Sequence, residues 1–244
     1  MTEEPQGMTK DWTKTPAAPA RRSVLKQALH CSACILGLVF AGSAIAQAQA
    51  TAPAASERKL LVLGDSLSAE YGLARGQGWV ALLEQKLAGH KLPQGRRYQV
   101  VNASISGETT AGGRARLEPL LKLHKPAVLI IELGGNDALR GLPLASSREN
   151  LLAMVRAGKA AGAKVQLVGM QVPPNYGASY AREFASLFPE VAKAEKIALT
   201  PFLLAGFAEK PDAEAWFQPD RIHPLAKAHP LMLDQVWPVL LPLL

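Results

Sequence analysis

The sequence predicts an α/β protein: a three-layer αβα sandwich around a mainly parallel sheet. Three observations carry that expectation. Short apolar runs alternate with longer stretches whose apolar residues recur at three- and four-residue spacing. The first three runs each end in a polar, glycine-bearing loop. A charge-free stretch over 27–56 separates the N-terminus from that alternating region. Alternation of buried strands with amphipathic helices implies βαβ units and therefore parallel pairing.

In chain order, Arg21-Arg22-Ser23-Val24-Leu25-Lys26 precedes an apolar segment over 33–46. That segment is too short for a comfortable membrane span and has the length of a signal-peptide core. Ala44-Ile45-Ala46 and Ala48-Gln49-Ala50 both fit an A-x-A cleavage site. The paired arginines resemble a twin-arginine export signal, with Val24 where that pattern usually has Phe, so a general secretory signal stays open. An uncleaved anchor or a buried helix is the competing reading. We therefore expect residues 1–50 to be an export signal cleaved after Ala46 or Ala50, 51–57 an Ala/Pro-rich linker, and 58–244 the working domain. The processed protein is expected in the periplasm or secreted.

Both cysteines, Cys31 and Cys34, fall in the export segment. A processed chain would then hold no disulfide, thiolate metal site or cysteine nucleophile. Residues 1–50 carry five Lys/Arg and three Asp/Glu, so their removal lowers the formal charge from +7 to +5. The remaining cations are dispersed and do not alternate with aromatics, which argues against a nucleic-acid partner. A transient contact with anionic membrane surfaces is compatible with this charge.

Within the domain, runs at 60–63, 98–101, 128–132 and 164–170 read as buried strands, with a shorter one at 197–199. Helical spacing runs over 79–88, 113–124, 148–161 and 180–193, and Pro224 is placed to start a last helix. If the strands are parallel, three loops converge at one sheet edge: Gly64-Asp65-Ser66, Asn102-Ala103-Ser104-Ile105-Ser106-Gly107 and Gly134-Gly135-Asn136-Asp137. Ligands of open α/β sheets bind at that edge.

Those loops hold the parts of an acyl-transfer site. Ser66 is the candidate nucleophile, and its own N–H, at the first turn of an expected helix, is a candidate oxyanion donor. Gly107 can bring a second N–H close to a ligand because it lacks a side chain, although a plain turn glycine reads the same way. Asn136 offers a side-chain NH₂, against the alternative of an Asx-capped turn. Of the five histidines, His30 lies in the export segment, and His90 and His124 sit at helix ends. His223 follows Asp220 by three residues, close enough in a turn for the carboxylate to orient the imidazole, while His229 has no such partner.

Gly64-Asp65-Ser66-Leu67-Ser68, Gly107 in its loop, Gly134-Gly135-Asn136-Asp137 and Asp220-x-x-His223, in that order, resemble the four blocks of the GDSL, or SGNH, hydrolase family. Segments 101–107, 132–137 and 174–177 are most similar to its bacterial periplasmic thioesterase I/lysophospholipase/arylesterase branch. The resemblance covers about residues 58–241. It implies a five-stranded flavodoxin-like sheet and no metal or other cofactor. It further implies Ser66 as nucleophile, His223 as base and then acid, Asp220 as its orienting partner, and an oxyanion hole of Ser66, Gly107 and Asn136. Glu108-Thr109-Thr110 and Val172-Pro173-Pro174 depart from the branch, the second in a segment resembling a substrate-lining loop.

The expected activity is hydrolysis of acyl esters and thioesters, on a small-molecule or lipid substrate. Leu67, Leu139, Pro173, Asn175 and Tyr176 are the candidate substrate-binding residues. A carbohydrate O-deacetylase on the same scaffold is the alternative within enzymes. A non-catalytic flavin or phosphate binder is the alternative outside them, since segment 104–110 superficially resembles a phosphate cradle but has no P-loop lysine.

Overall fold

A computed structural model describes residues 57–172 and 176–244. The expected export signal over 1–50, the expected linker up to residue 56, and Pro173, Pro174 and Asn175 lie outside the described residues. Five strands, β1 (Glu57–Gly64), β2 (Arg97–Asn102), β3 (Val128–Glu132), β4 (Lys164–Val168) and β5 (Ala198–Thr200), form one sheet in the order β2-β1-β3-β4-β5. All four pairings are parallel. β1 and β3 are buried on both faces, which is why Leu60-Leu61-Val62-Leu63 and Val128-Leu129-Ile130-Ile131 read as continuous apolar runs and not as alternations. Glu57, the last residue of the expected linker, already belongs to β1.

Helices α1 (Trp79–Gly89) and α6 (His229–Leu240) pack together, and α2 (Thr110–His124), α4 (Leu144–Ala160) and α5 (Ala178–Glu195) pack in series. α4 buries Leu144, Ser147, Leu151, Met154, Val155 and Gly158, the three- and four-residue spacing of one helix face. α2 starts three residues before its apolar pattern because the Thr109 hydroxyl accepts the Gly112 N–H and caps the helix.

Two expectations need correction. The last helix begins at His229 and not at Pro224; Pro224 instead forms an antiparallel bridge with Phe217, and Pro230 fills the early helical position. Gly135-Asn136-Asp137 is not a bare turn but opens a short helix, α3 (Gly135–Leu139). Periodicity cannot reveal a helix this short.

The sheet reverses its winding between β1 and β3, because β2 lies to one side of β1 and β3–β5 to the other. Chains leaving the C-terminal ends of β1 and β3 diverge there and leave a crevice. Two buried polar clamps fix its walls. The Asp137 carboxylate accepts the Thr110 N–H (2.8 Å), the Thr110 hydroxyl and the Ser147 hydroxyl (3.0 Å), tying α3 to the starts of α2 and α4. His229 Nδ1 accepts the Trp79 N–H (3.0 Å), supplying to α1 the cap that Gly78 lacks.

Asp137→Ala leaves three buried donors without an acceptor and is expected to cost about 2–4 kcal/mol in urea unfolding; a cost under about 0.5 kcal/mol would contradict the clamp. Burial pushes the His229 imidazole from 6.5 down to about 4. The unfolded chain therefore binds the extra proton, and stability contributed by His229 is lost as pH falls from about 6.5 toward about 4. His229→Gln is expected to remove at most about 3 kcal/mol of this dependence, measured as the wild-type-minus-variant difference in thermal midpoint between those pH values.

Candidate active site

β1 delivers Asp65 and Ser66 into the crevice. No helix starts at Ser66, contrary to expectation: 66–72 is a run of turns in which Ser68 and Ala69 N–H both donate to the Asp65 carbonyl. α1 waits until Trp79 because Gly72 and Gly76 take left-handed φ of +71° and +89° on the way. The Ser66 N–H nevertheless has no hydrogen-bond partner among the described residues.

The loop after β2 keeps bonding to the end of β1, through Ala103 N–H to the Val62 carbonyl (2.9 Å) and Ile105 N–H to the Gly64 carbonyl (3.0 Å). This brings Gly107 alongside, at φ +79°, with Arg140 donating to its carbonyl (2.9 Å). The Gly107 N–H also has no partner among the described residues. Next to it Glu108 is ion-paired with Arg116 and Thr109 caps α2, so these two side chains are spent on packing the loop. From β3, Asn136 in α3 donates one N–H to Asp65 Oδ2 (3.0 Å) and makes no other side-chain bond among the described residues.

His223 arrives from the far end of the chain, at the tip of a small hairpin closed by Gln218 N–H to the His223 carbonyl (2.7 Å) and Leu225 N–H to the Trp216 carbonyl (2.8 Å). Its Nε2 lies 2.8 Å from Ser66 Oγ, and its Nδ1 lies 2.7 Å from Asp220 Oδ2. Asp220 Oδ1 accepts the N–H groups of Ile222 (2.9 Å) and His223 (3.0 Å). Burial pushes the Asp220 carboxyl up, but the His223 N–H, the His223 ring and the Ile222 N–H together hold it below the usual carboxylate range. An ionised carboxylate only accepts, so Nδ1 carries the imidazole proton and Nε2 is left to accept the Ser66 hydroxyl proton.

The hairpin is docked by two contacts the sequence reading missed. Gln218 donates to the Tyr71 carbonyl (2.9 Å), and the Tyr71 ring lies on the His223 ring with centroids 4.2 Å apart. Gly72 makes this possible, since a Cβ there would meet the Gln218 amide at 2.1 Å. Glu132 was also missed, although a carboxyl closing an apolar strand was a visible signal. It is buried beneath the loop, accepting the Ser68 hydroxyl (2.7 Å) and the Asp65 N–H (3.3 Å), while Trp79 Nε1 donates to Ser68 (3.2 Å).

The structure thus brings Ser66, His223, Asp220, Gly107 and Asn136 to one place. Of the candidate substrate-binding residues, Tyr176 is exposed, Leu139 is half-buried and Leu67 is packed into the core. Pro173 and Asn175 lie outside the described residues. Among the described residues, no three His, Cys, Asp or Glu side chains are grouped to hold a metal ion.

Residues 62–231 match the model of the GDSL-like Lipase/Acylhydrolase family. The chain is 50% identical over 190 residues to esterase TesA of Pseudomonas aeruginosa, covering 78% of this chain and 91% of that protein. It is 40% identical over 190 residues to thioesterase 1/protease 1/lysophospholipase L1 of Escherichia coli K12, covering 78% and 86%. The crystal structure of TesA superposes with a TM-score of 0.71 at 51% identity, over 77% of this chain and 100% of that one. Sequence, sheet order and loop placement agree: the chain belongs to the GDSL-like lipase/acylhydrolase family.

Proposed function

We propose that this protein is a serine hydrolase that cleaves carboxylic esters and thioesters of acyl chains through an acyl-enzyme. One observation carries the reading: the unbroken line Ser66 Oγ, His223 Nε2, His223 Nδ1, Asp220 Oδ2, with gaps of 2.8 and 2.7 Å. Ser66 Oγ attacks the acyl carbonyl as His223 Nε2 takes its proton, and Asp220 stabilises the imidazolium. The Ser66 and Gly107 N–H groups and the second Asn136 N–H receive the negative oxygen. Collapse expels the alcohol or thiol, which takes the proton back from Nε2. A water, activated by the same nitrogen, then attacks the acyl-enzyme and releases the acid and Ser66.

The acyl preference is supported by the rim. Tyr71, Ile105, Leu142, Tyr176 and Ile222 are exposed large hydrophobics, one on each of the five connections that leave the C-terminal ends of the strands. Such a rim suits an aliphatic chain and a transient contact with a lipid surface. Residues 1–50 act, in this reading, as an export signal, so the working substrates are lysophospholipids or diffusing esters met outside the cytoplasm.

The test is hydrolysis of p-nitrophenyl esters and matched acyl-CoAs from acetyl to long-chain. Turnover is expected to rise with chain length in wild type and to fall by about 10⁴-fold or more in Ser66→Ala with the fold retained. Asp220→Asn is expected to lower kcat by about 10²-fold or more, because the wrong imidazole tautomer is then favoured. Full activity of Ser66→Ala would remove the assignment, and turnover confined to acetyl esters would replace it with a deacetylase.

A further inference from the structure

The mechanism above leaves two buried carboxyls unused. Asp65 and Glu132 are each 2% exposed, and they meet beneath Ser66, with the Asp65 N–H on Glu132 Oε2. Two adjacent carboxylates in a protein interior do not both stay ionised. Hydrogen bonding decides which keeps the charge. Asp65 accepts a donor on each oxygen, the Leu67 N–H on Oδ1 (3.0 Å) and the Asn136 amide on Oδ2 (3.0 Å). Both of the Glu132 bonds fall on Oε2, and Oε1 has no donor among the described residues. Burial and then the Asp65 charge push the Glu132 carboxyl well up, whereas for Asp65 burial is opposed by the Leu67 and Asn136 donors and lifts it only to about 6.

We propose that Asp65 is a positioning residue of the oxyanion hole: it carries the single charge of an Asp65–Glu132 pair whose proton resides on Glu132, and it takes one N–H of Asn136 so that the other is held toward the developing oxyanion. The proposal rests on the assignment of Asn136 to that hole. An unheld asparagine amide rotates about its last torsion and would have to be ordered at the moment of reaction; Asp65 removes that reorganisation. The titratable groups facing Asp65 are Glu132 from β3 and His223 from the hairpin; Glu132 faces Asp65, with Ser68 and Trp79 behind it as neutral donors. The arrangement costs stability. The folded-state Asp65 value is raised, so the stability tied to its protonation is present near pH 4 and is lost as pH rises through about 6.

The experiment is a double-mutant cycle on a short p-nitrophenyl ester with kcat and KM read separately. Asn136→Ala is expected to lower kcat about 10²–10³-fold. Asp65→Asn is expected to lower kcat about tenfold or more with KM within about twofold, to melt higher than wild type at pH 8, and to add no further loss in the Asn136→Ala background. Glu132→Ala is expected to lose activity, and Glu132→Gln, which stays neutral and still accepts from Ser68, to restore most of it.

In wild type, log kcat is expected to fall more steeply than one proton allows below pH about 6, since His223 must be neutral and Asp65 charged. This readout needs no variant to fold. If Asn136→Ala leaves kcat unchanged, the oxyanion assignment falls and takes the proposal with it. If Asn136→Ala is impaired but the Asp65→Asn loss is absent or fully additive, or the acid limb has unit slope, the proposal alone is overturned.

Discussion

Gly64 stands where β1 must turn into the active-site loop with no room to spare. A Cβ there would lie 2.8 Å from the Ser68 side chain and 2.9 Å from Glu132 Oε2. Because the position is bare, Glu132 reaches across from β3 to bond the loop backbone and the Ser68 hydroxyl, and the loop folds tightly over it. Everything else at the site is referenced to that loop. Asn136 is held by Asp65, the segment before Gly107 bonds to the Gly64 carbonyl, and Gln218 docks the His223 hairpin onto the Tyr71 carbonyl. Larger residues at 64 would have to separate β1 from β3 at their C-terminal ends, which is where the crevice is made.

The site then divides its charges by depth. Asp220 sits at the rim, where water and three donors keep it ionised beside the imidazole. Asp65 and Glu132 lie in the floor, where desolvation is severe and one proton is retained by the pair. The two remaining histidines near the C-terminus show the same division. His223 is half-buried and bridges Ser66 to Asp220, whereas His229, six residues later, is buried and used as a helix cap.

How much of this was legible follows from the range of the interactions. Alternating apolar runs and helical spacing reveal the sheet and its large helices because burial on a face is a local, periodic demand. The strand-end loops were legible because parallel pairing forces them to one edge. Asp220 and His223 lie within one turn, so their pairing follows from spacing. The hydrogen bond from Ser66 to His223 spans 157 positions and follows only from the order of elements. Glu132, Tyr71 and Gln218 have no spacing relation to the residues they hold, so periodicity and motif reading passed over them. The helix from Pro224 failed for another reason: proline suits a first helical turn and an edge bridge equally, and Phe217 and the Trp216 carbonyl claim the latter.

The central claim is that the resting protein already holds Ser66 as an activated nucleophile. Brief exposure to a neutral organophosphate ester with a p-nitrophenolate leaving group, followed by peptide mass spectrometry, tests it directly. The expected result is one phosphoryl adduct per chain, on Ser66, formed fast in wild type and suppressed in His223→Ala. An adduct on any other serine, or equal labelling of Ser66 with and without His223, would contradict the account.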